Sequence, residues 1–227
     1  MKRKYIIGNW KSNKNLQETG FWFENFSELL LENKQKKLED IEIVLCPPYV
    51  LLPEVKKLVT QYNLPIKLGG QNISPFPNGA YTGEVSASQI KEWVEYVIIG
   101  HSERRTNFHE DGKTLFAKVK RANEEGLKAI YCIQDQNTEI PKRVDIVAYE
   151  PVWAIGSGRT DTPQSAEKVA QTVKSKNRDA LVIYGGSVRG DNVKGFLSCK
   201  NIDGVLPGGA SLDPLSFWEI IVNAATV

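Results

Sequence analysis

Short apolar runs recur along the chain, each bounded by turn residues: 5–7, 41–46, 66–68, 96–99, 128–133, 146–148, 180–184 and 204–206. They do not alternate polar with apolar positions, as expected of parallel strands covered on both faces. Between most of them the apolar positions shift to helical spacing. Leu16, Phe23, Phe26 and Leu30 form one such stripe, and Leu115, Val119 and Ala122 a second. Ala166, Val169, Ala170 and Val173 form a third, and Trp218, Ile221, Val222 and Ala225 a fourth. The third is well marked, with Thr162 as N-cap and Pro163 at the first helical position. Strand and helix alternate to the end, so the sheet is expected to be parallel, with right-handed crossovers.

Eight such units close naturally into a compact (β/α)8 barrel, an α/β fold; an open doubly wound sheet is the alternative. The barrel is favoured because unusual residues follow several different strands. Asn9 and Lys11 follow the first, His101 the fourth, Glu150 the sixth, 185–187 the seventh, and Gly208 and Gly209 the eighth. Only a closed ring brings all these ends to one mouth. One unit is deficient. The link QDQNTEIPKRV after the fifth strand contains a proline and no apolar stripe, so its helix is expected to be shortened or missing. Residues 175–179 are similarly brief, and SPFPNGAYTGEV, 74–85, reads as a long loop.

Length and composition narrow this further. A chain of 227 residues fits one barrel domain over 1–227. The 29 basic and 27 acidic residues leave a net charge of +2, which gives no footing for a nucleic-acid or membrane partner. No run reaches the length of a membrane span. Cys46, Cys132 and Cys199 are odd in number and lack paired or metal-site spacing, which suits reduced thiols in a cytoplasmic protein with no metal.

The chemistry centres on AYEPVWAIGSGRTDT, 148–162. Pro151 cannot donate to a sheet ladder, so the strand stops and leaves Glu150 at its C-terminal edge. There the carboxylate serves either as a base or as a cap on nearby amides. A corner (Pro151, Val152, Trp153), a small-residue loop (Ala154, Ile155, Gly156, Ser157, Gly158) and a second corner (Arg159, Thr160, Asp161) follow it, the construction of a lid. Of the two histidines, His109 lies in a loop where a surface or capping role suffices. His101 opens HSERR directly after a strand, where the amides of a following helix can be aimed at its ring. Lys11 is a solvated charge unless a phosphate lies beside it. Glycines after the seventh and eighth strands supply that anion site, since bare backbone lets amides approach closely. The set suits a phosphorylated small substrate and proton transfer beside a carbonyl.

The strings GNWKSN, GAYTGEVS, IIGHSERR, AYEPVWAIGSG, YGGSV and GVLPGGASL, in this order, resemble the triosephosphate isomerase family and its TIM barrel. In that family a glutamate base works with a neutral histidine under a closing loop, an established pattern and not one read from these residues. The resemblance implies interconversion of dihydroxyacetone phosphate and D-glyceraldehyde 3-phosphate, a step of glycolysis and gluconeogenesis, with no cofactor or metal. It makes Glu150 the proton shuttle, His101 the electrophile, Lys11 the charge stabiliser, Asn9 an orienting group and Glu103 a support that holds Lys11. Amides of Gly156, Ser187, Gly208 and Gly209 would take the phosphate, and Pro151 to Thr160 would be the lid. It also implies a homodimer or higher homo-oligomer, with Thr82 and Glu84 reaching a partner and Glu84 pairing with Arg104. Ser12 and Lys14 stand where much of the family has Met and Gly, and Gln134 where glycine is common. Pro207, before the last glycine pair, is also unusual. A barrel aldolase with Lys11 as Schiff base and a non-catalytic phosphate-binding barrel are the competing readings.

Overall fold

A computed structural model describes residues 2–33, 36, 38–152 and 160–227. Eight parallel strands close in sequence order, each bonded to the next and the last to the first. They are β1 (Lys4–Asn9), β2 (Ile41–Cys46), β3 (Ile66–Gly70), β4 (Tyr96–Ile99), β5 (Lys128–Ile133), β6 (Ile146–Tyr149), β7 (Leu181–Tyr184) and β8 (Gly204–Val205). Each apolar run therefore became a strand, and the open-sheet alternative falls.

The missing alternation has a geometric cause. Ile7, Val44, Ile98, Ile130, Ala148 and Ile183 point into the barrel and form one cluster. Their neighbours Ile6, Ile43, Val97, Ala129, Val147 and Val182 point outward into a second, larger cluster under the helices. Both sides of every strand are dry, so both must be apolar. The same two-residue period carries the inward direction of Ile7 on to Asn9, and that of Ala148 on to Glu150. The strand phase thus aims two polar side chains at the barrel axis.

The helices are α1 (Leu16–Glu32), α2 (Leu52–Gln61), α3 (Ala87–Ile90), α4 (Ser102–Asn107), α5 (Gly112–Glu124), α6 (Pro163–Lys176), α7 (Val193–Leu197) and α8 (Pro214–Ala224). Thr162 caps α6 through its side chain, with Pro163 at its first turn, and Asp213 caps α8 in the same way. Two details differ from the expected stripes. Leu16 is exposed at the helix start, and the buried face of α1 is built from Thr19, Trp22, Phe23 and Phe26. Ala225 lies just past α8, as its C-cap. No helix joins β5 to β6; turns and bends cross that gap.

An aromatic cluster joins α1 to α8. Trp10, Trp22, Phe23, Phe26, Phe217 and Trp218 interlock, with Trp22 stacked on Phe26 at 4.8 Å. Both Trp10 and Trp22 donate their indole N–H to the Ser211 carbonyl, at 3.0 and 3.1 Å. Burying two indoles without unsatisfied donors therefore also fixes the 3-10 turn Gly209–Ser211 that follows β8. Among the described residues, no helix is long and apolar enough to cross a membrane.

Candidate active site

Five strand ends, those of β1, β4, β6, β7 and β8, supply the groups. After β1 the chain turns sharply: Lys11 adopts φ 53°, a left-handed conformation unusual for a side-chain-bearing residue. Two contacts hold it there. The Asn9 side-chain oxygen accepts from the Lys11 amide at 3.0 Å, and Gln71, after β3, donates to the Lys11 carbonyl at 2.8 Å and to the Cys46 carbonyl at 2.9 Å. The turn brings the lysine Nζ onto the Glu103 carboxylate. It also places Lys11 Cε 3.3 Å from where a Cβ on Gly208 would sit.

After β4, His101 forms the N-cap of α4, buried to 7% exposure. Its Nδ1 accepts from the Glu103 amide at 3.2 Å, which leaves the ring proton on Nε2. Nε2 faces Glu150 Oε1 at 3.2 Å. Glu150 itself is 1% exposed; its Oε2 accepts from the Ser102 amide, the first of α4, at 2.9 Å. The approach of Oε1 to the imidazole lacks hydrogen-bond geometry, so among the described residues this oxygen has no hydrogen-bond partner. A buried carboxylate oxygen left open beside an N–H is reactive surface, because solvation no longer competes for it. Burial and then the Glu150 charge push the neighbouring Cys132 thiol well above its ordinary range, so that thiol stays protonated.

Beside these groups opens a cavity of about 700 Å³, lined among others by Asn9, Lys11, His101, Ser187, Gly208 and Gly209. Glu150 stands one layer behind it, against Gly185, where a Cβ would come within 2.9 Å of the glutamate Cγ. Only a glycine leaves the carboxylate that much room. The cavity mouth thus gathers the lysine, the imidazole and the glycine turns after β7 and β8, and one run of polar contacts leads from Lys11 through Glu103 and His101 to Glu150. Of the expected lid, Pro151, Val152 and Thr160 are described: Pro151 is buried and Val152 exposed. Trp153, Ala154, Ile155, Gly156, Ser157, Gly158 and Arg159 lie outside the described residues, and with them the expected Gly156 amide. His109 is exposed in the loop before α5, away from these contacts. Among the described residues, no three His, Cys, Asp or Glu side chains cluster as a metal site requires.

A family model for triosephosphate isomerase matches residues 4–224. Proteins named triosephosphate isomerase from Mesomycoplasma hyopneumoniae, Dictyoglomus turgidum and Halorhodospira halophila are each 38% identical to the chain. The matches cover 98%, 97% and 99% of this chain and 100%, 99% and 99% of theirs. The chain belongs to the triosephosphate isomerase family. The alignments run over 244 to 258 residues against the 227 here, so these relatives carry stretches this chain lacks.

Two departures from the family pattern acquire a structural reading. Lys14 has φ 72°, a conformation glycine adopts without strain, and its ammonium lies 5.2 Å from the Trp10 ring centre, so a cation–π contact accompanies the strained backbone. Pro207 has no amide to give, and none is asked of it: its carbonyl accepts from the Asn9 amide at 2.9 Å. Sequence reasoning passed over Gln71, which holds the Lys11 backbone. It also gave no role to Arg105, whose guanidinium bonds the Gly100 and Cys132 carbonyls at 2.8 Å each and so ties the ends of β4 and β5 together. The second arginine of HSERR was the available signal for Arg105; nothing local marks Gln71.

Proposed function

We propose that this triosephosphate isomerase family member interconverts dihydroxyacetone phosphate and D-glyceraldehyde 3-phosphate through an enediolate. The observation that carries the mechanism is the open Glu150 oxygen, 3.2 Å from the Nε2 of His101, which bears the ring proton and lines a cavity of about 700 Å³. Glu150 removes a proton from the carbon next to the carbonyl, and the C–H electron pair becomes the C=C bond of the enediolate. The former C=O pair moves onto oxygen, where the His101 N–H and the Lys11 ammonium stabilise it. His101 then passes the hydroxyl proton of the neighbouring carbon to that oxygen, and Glu150 returns its proton to the former carbonyl carbon: the C=C pair forms the new C–H bond, the other carbon becomes the C=O, and no atom is gained or lost. Asn9 orients the substrate, Glu103 holds Lys11, and amides of Ser187, Gly208 and Gly209 receive the phosphate. The roles of Gly156 and of the 151–160 segment rest on the resemblance alone.

Lys11 speaks against the aldolase reading. A Schiff base needs a free amine, and this Nζ is paired with a carboxylate. A non-catalytic barrel would have no use for an unsatisfied, buried glutamate oxygen. The assembly belongs to the same proposal: two copies meet through loop 74–85, where Phe76 and Tyr81 stack at 4.3 Å and remain exposed beside Thr82 and Glu84. Glu84 of one copy then reaches Arg104 of the other, whose guanidinium is already held by Glu110 at 2.6 Å. One cytoplasmic barrel domain, 1–227, carries the activity. Turnover in deuterium oxide, coupled to glycerol-phosphate dehydrogenase, tests the chemistry. Deuterium from solvent on the product carbon is expected, whereas turnover without any incorporation would mean direct hydride transfer and overturn it. Light scattering is expected to give at least twice the monomer mass.

A further inference from the structure

Behind the reacting groups, on the outer face of the barrel, lies a buried carboxylate that the mechanism above does not use. Tyr149 and Tyr184 end β6 and β7, sit opposite each other in register and both face outward, with ring centres 6.3 Å apart. Their hydroxyls converge on Asp161, which is 6% exposed. The Asp161 Oδ2 accepts from the Tyr149 hydroxyl at 3.2 Å, its Oδ1 accepts from the Thr162 amide at 2.8 Å, and its own amide donates to the Tyr184 hydroxyl at 2.9 Å. Among the described residues no cation pairs with it, so these hydrogen bonds carry its desolvation. Burial and then the Asp161 charge push the Tyr149 phenol up, so it stays a donor. Burial likewise pushes Tyr184 up to about 12.

The chain neighbours give these contacts their meaning. Tyr149 directly precedes Glu150, and Tyr184 directly precedes Gly185, the residue that leaves Glu150 its room. The Tyr184 hydroxyl also fills the space a Cβ on Gly186 would occupy, so the turn leading to Ser187 rests on it. Asp161 therefore joins the end of the base-bearing strand to the end of the strand before the phosphate turn.

We propose that the Asp161 carboxylate is a positioning residue that fixes Glu150 by holding Tyr149. This inference rests on Glu150 being the base. The side-chain link to Tyr149 and the backbone link to Tyr184 are chemically distinct, which makes them separable. Replacing the side chain cuts the Tyr149 link and leaves the backbone link in place.

The test compares Asp161→Ala, Asp161→Asn, Tyr149→Phe and the Asp161→Ala/Tyr149→Phe pair, with kcat and KM measured for each. Asp161→Ala and Tyr149→Phe are each expected to lower kcat about tenfold with KM within about twofold, since a small displacement of a base is felt in the chemical step. The pair is expected to be no worse than either single change, because both break one link. Asp161→Asn keeps an acceptor and is expected to restore kcat to within about twofold. Additive losses in the pair, an Asn variant as poor as the Ala variant, or kcat and KM falling together would overturn the proposal. If Asp161→Ala does not fold, Tyr149→Phe is read by the same criterion. Failure of the base assignment is distinguishable, for it appears as residual wild-type-like turnover in Glu150→Gln.

Discussion

Buried carboxylates stand at both ends of the barrel, and their surroundings are opposite. At the floor, where strands begin, Glu42 accepts from Lys67 at 2.7 Å, Tyr96 at 2.8 Å and Arg3 at 3.1 Å. Asp203, before β8, is held by Lys2, by Lys174 at 2.7 Å and by the Val182 amide at 2.7 Å. Every charge there is answered by a cation. At the mouth, Glu150 has one amide and an imidazole, no paired cation among the described residues and one oxygen without a hydrogen bond. The floor uses carboxylates to join strand starts into a ring. Asp203 Oδ1, like Glu150 Oε1, lacks a hydrogen bond, but Lys2 faces it; at the mouth no described cation faces the carboxylate, and a base free of a cation is what proton transfer needs.

The contrast breaks most visibly at the mouth. Replacing His101 by Gln removes the N–H facing Glu150 and is expected to lower kcat by about 10²–10⁴, read in a coupled assay with the fold checked by circular dichroism. Gly185→Ala should act more mildly. Its methyl would come within 2.9 Å of the Glu150 Cγ, and the displaced base should lose about 10–100-fold in kcat with a near-native melting midpoint.

The floor should respond in stability and not in rate. Burial alone would raise the Glu42 carboxyl, but hydrogen bonds from Lys67 and Tyr96, with the charges of Lys67 and Arg3, hold it below its ordinary 4.5. A depressed carboxylate contributes stability that is complete above its unfolded value and is lost as pH falls through the folded one. Thermal melts should therefore show the wild-type midpoint falling as pH drops below about 4.5, with part of that slope absent in Glu42→Gln. At neutral pH the same variant should melt a few degrees lower, with kcat unchanged. A loss of kcat in Glu42→Gln would erase the distinction between the two ends.

How much of this was readable in the chain follows from where each signal is stored. The strands were legible because burial on both faces makes them continuous apolar runs, and the missing fifth helix because QDQNTEIPKRV has no stripe to bury. The helix α2 was not named, although Leu52, Val55 and Leu58 pack inward and Pro53 sits in its first turn, where it is tolerated. The short α3 and α7 have too few turns for any periodicity. His101, Glu150 and Lys11 stood out because each polar residue closes an apolar run. Gln71 did not, since its partners lie 60 and 25 positions away, and the Asp161 carboxylate did not, since it follows no apolar run and meets Tyr149, 12 positions earlier, only through the fold.

The most direct measurement of the central claim is the turnover of Glu150→Gln beside its melting midpoint at neutral pH. Gln can still accept from the Ser102 amide but can no longer take a proton, so kcat is expected to fall by at least about 10³ while the midpoint stays or rises. Turnover within about tenfold of wild type, or a midpoint falling as it would for a floor carboxylate, would contradict the account.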